Sequence, residues 1–592
     1  MTSNLRPSSA QIPAKFQQAV ECLKKGQLAT ARALCAEILK HQPNHADALH
    51  VAGVIALQSN DPRRAAELIG KALAVNPGNA AAHCNRASAL QALNEWEAAL
   101  DSYNAAIVHE PRFAEAYFNR GIVLHLLKRP DDAVASHSRA IALKSDFAAA
   151  YFHRGIALQE LRQSEAALAS YNQAIGVKPD YAEAHLNRGV VLRDLDRLEA
   201  ALASYDQAIA INPRFAAAYS NRGNVQRQLG RWNAALASFD AAIAIEPDRA
   251  EAHCNRGNLL NELNRLDEAV ASYDRAIAIN GQYVEAHCNK AVAQLLAGDF
   301  AHGWVNYEWR RKRHPRRFAQ PLWQGKKSIA GKTILIYSEQ GYGDTLQFCR
   351  YIPRVAALGA QVIFEAEEPL MGLMATLPGV SQLVAKGNAL PAFDCHCPLL
   401  TLPFAFNTTL ETIPAPTRYL RADAAKVERW RAKLGDETMP RVGLVWAGST
   451  VRNNNRSIAL AHWVSHLPAG FEYVSLQKEV PPEDQTLLRD HPQIVGVAQE
   501  LNDFGDTAAL CECMDLVISI DTSVAHLCGA LGKRTWVLLP FNPDWRWLLH
   551  RDDSPWYPSA TLYRQATLGD WSGVYARIHE DLTRAFPSHG ER

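Results

Sequence analysis

Phe113 to Leu127 reads FAEAYFNRGIVLHLL, and after a turn at Lys128 to Pro130 the chain continues DDAVASHSRAIAL to Leu143. Apolar residues recur at helical spacing through both stretches, which predicts two amphipathic helices joined by a tight turn. The unit returns along the chain. Pro43, Pro77, Pro111, Pro179, Pro213, Pro247 and Pro315 stand on one 34-residue grid whose missing points are Ser145 and Gly281. Tyr103, His137, Tyr171, Tyr205, Phe239, Tyr273 and Tyr307 keep the same period, as do Gly121, Gly155, Gly189, Gly223 and Gly257. Glycine lets two helices approach closely, and the ring is expected to fill the groove of the next pair. The proline ends the second helix, because it has no N–H to donate and biases the residue before it away from helix. Self-similarity at such a period is the signature of a stacked repeat array.

From about Ile12 to Arg317 this pattern resembles the tetratricopeptide repeat family, with nine units of which the first and last are degenerate. The resemblance implies an all-α, right-handed solenoid with a concave inner face. Asn85, Asn119, Asn187, Asn221, Asn255 and Asn289 lie on the grid, with His153 taking the remaining point. Amides offer donors and an acceptor, so such a row suits the backbone of a bound protein or peptide. It is similar to the asparagine ladder of the O-linked N-acetylglucosamine transferases; the alternative is that asparagine is simply common at this repeat position.

Across 592 residues, 62 Lys and Arg face 61 Asp and Glu, a net charge of +1, so no global field favours nucleic acid or an anionic membrane. The start, MTSNLRPSSAQIPAK, lacks a signal-peptide core, and no transmembrane run is found, so the expected location is cytoplasmic. The 11 cysteines are not set at framework spacings and are expected to be reduced. Cys395 and Cys397 flank His396, and Cys511 and Cys513 are close, but a one-residue gap does not suit a zinc knuckle, so no metal is expected. Six of the eight positions from Arg310 to Arg317 are basic, which reads as a solvated helix end or as a contact for an anionic acceptor or lipid.

Residues 318–331 are rich in Pro, Gly and Lys and read as a linker between the repeats, 12–317, and a second domain; residues 1–11 read as a tail. Beyond it, short apolar runs alternate with helical stretches, the pattern of a parallel α/β sheet. TILIYSE, QVIFEAE and SQLVA are candidate strands of a first lobe, 332–420. RVGLVWAG, EYVSLQ, QIVGVA, DLVISID and TWVLLP are candidates for a second, 421–592, with TIPAPTRYLRAD as a hinge. Two Rossmann-like lobes across a cleft describe the GT-B architecture, with ligands beyond the carboxyl ends of strands.

Three strand ends carry candidate chemistry. In SEQGYGDTLQF, Gly341 and Gly343 permit close approach of a ligand, and Asp344 is either a proton acceptor or a helix cap. In VWAGSTVRNNNR, the amides after Gly448, with Ser449, Thr450 and Arg456, either hold a diphosphate or form a plain loop. In VISIDTSVAHL, a strand ends at Asp521 and a helix follows, so Thr522 and Ser523 sit at its positive end; His526, one turn in, faces cleft or core.

In order and spacing these segments resemble the bacterial heptosyltransferase-like glycosyltransferases over roughly Ile334 to Leu582, most closely from Asp521 to Gly532. The resemblance implies inverting, metal-independent transfer from a nucleotide-sugar donor, which is a substrate, with no cofactor. Asp344 is then the candidate base, with Asp521 to His526 around the donor and a protein or glycan as acceptor. The chain departs from that family in carrying Arg456 where a lysine is usual, and in the aromatic block FNPDWRWLLH. There Trp545, Arg546 and Trp547 either line the donor pocket or form a core cluster. The competing function is a non-catalytic scaffold, and an oligomerisation role for the repeats is a third possibility.

Overall fold

The computed structural model describes residues 11–313, 315–448 and 456–586. The chain forms two compact units, Met1–Pro247 and Asp248–Arg592. The first is all helical. Its described residues form seven antiparallel helix pairs, the third being Ala80–Ala92 with Trp96–His109, the fourth Ala114–Leu126 with Pro130–Leu143 and the fifth Ala148–Glu160 with Ser164–Val177. Every second helix from the second pair onward ends two residues before the grid position of the proline.

Between the helices of a pair, Asn60, Asn94, Lys128, Arg162 and Asp196 hold φ from 57° to 61°, and Gly230 holds 69°. This left-handed corner also recurs every 34 residues. Glycine or asparagine takes it at low cost, whereas Lys128 and Arg162 are held there by the helices on either side. The ring residue packs against the glycine of its own pair. A Cβ on Gly155 would lie 2.6 Å from Tyr171 Cε1, and one on Gly189 would lie 2.5 Å from Tyr205 Cε1. The two positions are 16 residues apart, so the contact closes each hairpin locally.

The second unit begins with two more pairs, Ala250–Glu262 with Leu266–Ile279 and Val284–Leu296 with Phe300–Tyr307. Parallel strands follow. One sheet contains β1 (Thr333–Tyr337), β2 (Gln361–Ala366), β3 (Gln382–Ala385) and β4 (Cys395–Pro398), in the order β3-β2-β1-β4. The other contains β5 (Arg441–Val445), β6 (Glu472–Ser475), β7 (Ile494–Gly496), β8 (Leu516–Ile520), β9 (Thr535–Leu539) and β10 (Ala560–Arg564), in the order β10-β9-β8-β5-β6-β7. Each order reverses once, beside β1 in the first sheet and between β5 and β8 in the second. Strands β4 and β10 were not expected from the sequence. The first is a four-residue CHCP segment, and the second follows the aromatic block, so neither shows a clear apolar run.

Within this unit the last two pairs are bonded to the α/β part. The Trp304 indole donates to Thr408 O (2.9 Å), Asn264 Nδ2 to Phe541 O (2.8 Å) and Asn542 Nδ2 to Asn261 O (2.7 Å). The basic run is not simply solvated. Arg310 is buried against Glu308 (2.9 Å), Glu339 (2.7 Å) and Thr401 (3.0 Å), and Arg316 pairs with the buried Glu365. Residues 318–331 are likewise pinned: Leu322 bridges His396, and Trp323 N donates to His396 O (2.8 Å). The expected hinge is held too, since Tyr419 N and Leu420 N both donate to Ala530 O (3.0 and 3.2 Å). Arg350, buried and without a carboxylate partner among the described residues, donates to Pro414 O (3.2 Å), Trp556 O (2.6 Å) and Tyr419 Oη (2.9 Å).

The glycine contact yields a paired test. Gly189→Val overfills the Tyr205 contact and is expected to destabilise the protein by about 1–3 kcal/mol. Gly176→Ala, in a helix with no atom within 4 Å of the added Cβ, is expected to stabilise it by about 0.5–1 kcal/mol. Urea unfolding followed by circular dichroism reads both signs; equal effects would remove the packing role of the glycine.

Candidate functional site

The three singled-out loops follow β1, β5 and β8, at the carboxyl ends of strands beside the reversals of strand order. Ligand sites in open parallel sheets lie there because adjacent loops diverge and leave a crevice. After β1 the chain turns at Gly341 into the helix Tyr342–Phe348. After β5 it runs to Gly448; Ser449 and Thr450 lie outside the described residues. After β8, Asp521 and Thr522 lead into the helix Ser523–Leu531, whose N-cap Thr522 makes no side-chain capping bond.

The two helix starts meet. A Cβ on Gly343 would lie 2.8 Å from His526 Cδ2 and 3.5 Å from Ser523 Cα, so the glycine is what lets the first helix seat on the second. Gly448 lies beside Thr522, its virtual Cβ 4.0 Å from Thr522 Cγ2. Gly341, Gly343, Asp344, Gly448, Arg456, Asp521, Thr522, Ser523, His526 and Arg546 are therefore gathered in one region.

Charge alternates through that region. Asp344 accepts the Gly341 N–H through Oδ2 (2.8 Å), capping its helix, while its Oδ1 pairs with Arg546. Arg546 also donates to Gln347 Oε1 (2.5 Å) and Asp544 Oδ1 (2.8 Å). Asp544 is 3.4 Å from Arg456, and Arg456 is 2.9 Å from Asp521. The sequence Asp344, Arg546, Asp544, Arg456, Asp521 is one chain of ion pairs. Burial pushes the Asp521 carboxyl up, with Arg456 opposing, because a charge withdrawn from water is favoured only by an adjacent opposite charge. Asp544 is held down by Arg546 and Arg456 against its own burial.

His526 is buried. Its Nδ1 lies 2.8 Å from Tyr557 Oη, its Nε2 3.8 Å from Asp521 Oδ1, and its ring stacks on Trp547 at 5.4 Å and 16°. Burial, reinforced by Arg546, lowers its pKa to about 3, so the imidazole is neutral. Trp545, Arg546 and Trp547 of the aromatic block are all buried: Arg546 reaches the site, Trp547 lies against His526, and Trp545 is a core residue. Trp545 packs edge-on to Trp304 (5.3 Å) and Tyr307 (5.9 Å). Indoles and polar site residues alternate along this block because Trp545–Trp547 is a single helical turn capped by Asp544.

Asp544 and Gln347 were missed by sequence reasoning. Asp544 had a local signal, an Asp directly before a W-R-W turn, which is a cap pattern; Gln347 had none. The asparagine row is partly committed to neighbouring helices. Asn85 Nδ2 lies 2.9 Å from His50 Nε2, and Asn289 Nδ2 donates to Asn258 Oδ1 (2.8 Å). Asn119, Asn187, Asn221 and Asn255 are half-buried. Among the described residues no group of three His, Cys, Asp or Glu converges as metal ligands, and no helix is long and apolar enough to cross a membrane.

Comparison with known proteins matches the tetratricopeptide repeat family at residues 50–107, 84–146, 152–214 and 220–284. The chain is 28% identical over 326 residues to Protein FlbA of Caulobacter vibrioides, covering 49% of this chain and 53% of FlbA, so it spans about half the length of that curated relative. Among solved structures it is similar to MamA (24% identity, 28% of this chain and 96% of that one, TM-score 0.27). It is also similar to YrrB, described as a TPR protein with an unusual peptide-binding site (23% identity, 32% and 96%, TM-score 0.28). The N-terminal part, about 300 residues, is thus a tetratricopeptide solenoid, and the C-terminal part consists of parallel sheets with helices.

Two outcomes follow from the site's electrostatics. Arg546→Met leaves Asp344 and Asp544 without their shared cation, and a cost of about 3–5 kcal/mol is expected in urea unfolding. His526 titrates near 6.5 when unfolded and at about 3 when folded, so the stability of its neutral state is complete above pH 6.5 and is lost as pH falls from there through about 3. His526→Gln should lack that component, read as a smaller loss of melting temperature between pH 7 and pH 4 than in the parent.

Proposed function

We propose that this chain is a glycosyltransferase of GT-B architecture, which moves a sugar from a nucleotide-sugar donor to a protein or glycan acceptor bound with the help of its repeats. The observation that carries this reading is the seating of Gly343 against Ser523 and His526, which brings a glycine-Asp turn and an uncapped helix start to one place between two parallel sheets.

In this reading the donor diphosphate rests on the backbone amides at Ser523, where the helix dipole favours an anion, with Arg456 beside it. The acceptor hydroxyl oxygen attacks the anomeric carbon, the carbon–phosphate-oxygen bond breaks, Asp344 takes the hydroxyl proton, and the nucleoside diphosphate leaves. Without donor, Arg546 occupies Oδ1 of Asp344, so the lone pairs that would take a proton are shared with a guanidinium. A diphosphate competes for both Arg456 and Arg546, and its arrival frees the carboxylate.

One observation favours a second reading, a protein-binding scaffold without catalysis: both oxygens of Asp344 already have partners, one as a helix cap and one as an ion pair. A calorimetric screen of the full chain against UDP, GDP, ADP and their sugars separates the two. The enzyme reading expects one clear binder, weakened by Asp521→Ala or His526→Ala; no binder, or unchanged binding in both variants, removes this donor site. With the donor known, Asp344→Asn is expected to fold and bind it normally yet transfer sugar at least about a hundredfold more slowly. Full activity would return Asp344 to its capping role.

A further inference from the structure

Beside the asparagine row the first helices carry a second row, one position on: Arg86, Arg120, Arg154, Arg188, Arg222, Arg256 and Lys290. In the first unit these guanidinia lie along a seam. Arg120, on the helix Ala114–Leu126, donates through Nε to Ser136 Oγ (2.9 Å) on the second helix of its own pair. Through Nη1 it donates to Asn104 Oδ1 (3.2 Å) on the second helix of the pair before. Arg154 Nε and Arg188 Nε repeat the serine bond to Ser170 (3.1 Å) and Ser204 (3.0 Å). Arg120 and Arg154 are also covered on one face by Tyr117 and Tyr151, at 5.2 and 5.3 Å.

The residue 16 places before each arginine divides the row. For Arg222 it is Asp206, which pairs with it at 2.9 Å, and for Lys290 in the second unit it is Asp274, in contact at 2.5 Å. For Arg120, Arg154 and Arg188 it is Asn104, Ser138 and Asn172, none of them acidic, and for Arg86 it is Gly70. Among the described residues Arg120, Arg154 and Arg188 have no carboxylate in ion-pair contact. Asp132, whose charge reaches Arg120, is itself bound by Arg129 (2.7 Å). Burial pushes the pKa of all three guanidinia down, the mark of a positive charge that has lost water without gaining a counterion. Their Nε sites are used, while among the described residues no acceptor meets either Nη of Arg154 or Nη1 of Arg188.

We propose that this seam, from Arg120 to Arg188, is a docking site for an extended acidic peptide segment, one carboxylate per repeat seated on each guanidinium. A planar guanidinium matches a carboxylate edge to edge, and regular spacing selects an extended partner over a compact one. A continuous phosphate backbone fits less well, because the net charge of the chain is only +1 and three guanidinia give it no general attraction for a polyanion. The inference does not depend on glycosyl transfer.

The test uses the full chain and a fluorescein-labelled dodecapeptide of alternating Glu and Ser, followed by fluorescence anisotropy. Binding is expected, weakening as salt rises from about 50 to 200 mM. Asn104→Asp, Ser138→Asp and Asn172→Asp together install the counterions found at Asp206 and Asp274; Asn104 and Asn172 are exposed and Ser138 half-buried. This variant should keep the parent melting temperature and bind about tenfold more weakly or worse, as should R120Q/R154Q/R188Q. Asp206→Asn should bind about twofold or more tightly by extending the free row, and Arg222→Gln should not change binding. Undiminished binding in the triple Asp variant overturns the proposal, even if the glutamine variant fails to fold. So does displacement of the peptide by a single-stranded oligonucleotide of equal charge at equal or lower concentration, which would make the seam a phosphate surface.

Discussion

Arg546 is the residue on which the arrangement of the α/β region turns. Its guanidinium meets Asp344 and Gln347 from the helix after β1 and Asp544 from its own turn, and Asp544 passes the linkage through Arg456 to Asp521 at the end of β8. Buried charges persist only when each is paired, so these five groups must settle together. Once they do, the two helix starts have one relative position, and Gly343 can seat against His526 because it carries no side chain. A neutral imidazole completes the contact, since a protonated one there would add a third cation beside Arg546 and Arg456.

The same economy of pairing attaches the last two repeats to the sheets. Arg310, Arg316 and Trp304 each satisfy a buried group on the α/β side, so the compact unit begins within the repeats at Asp248 and not at the Pro- and Gly-rich stretch after them. Composition marks where helical periodicity stops. It does not mark where packing stops, because an arginine that ends in solvent and one that ends on Glu365 look alike in sequence.

In the first unit the repeat logic is simpler and almost wholly local. Glycine and ring lie 16 residues apart in one hairpin, the left-handed corner lies between them, and the proline follows. Each term depends on near neighbours. Departures from the pattern then become informative: positions 104, 138 and 172, which are not Asp, change no fold signal, yet among the described residues Arg120, Arg154 and Arg188 have no carboxylate in contact.

The sequence by itself determined the repeat, its period, its helix ends, and the strands with clear apolar runs, since all of these depend on spacing along the chain. It also located the three loops at β1, β5 and β8, because a strand that ends in Gly or Asp before a helix is visible in one dimension. Tertiary structure alone decided what those loops face. Asp344 acquired an arginine 202 residues away, Trp545 went to the core while Arg546 and Trp547 came to lie against the site, and β4 and β10 formed where sheet neighbours supplied the hydrogen bonds that their short sequences do not announce. The physical reason is that a buried charge or a strand edge is stable only through partners remote in sequence, and no local pattern encodes who they are.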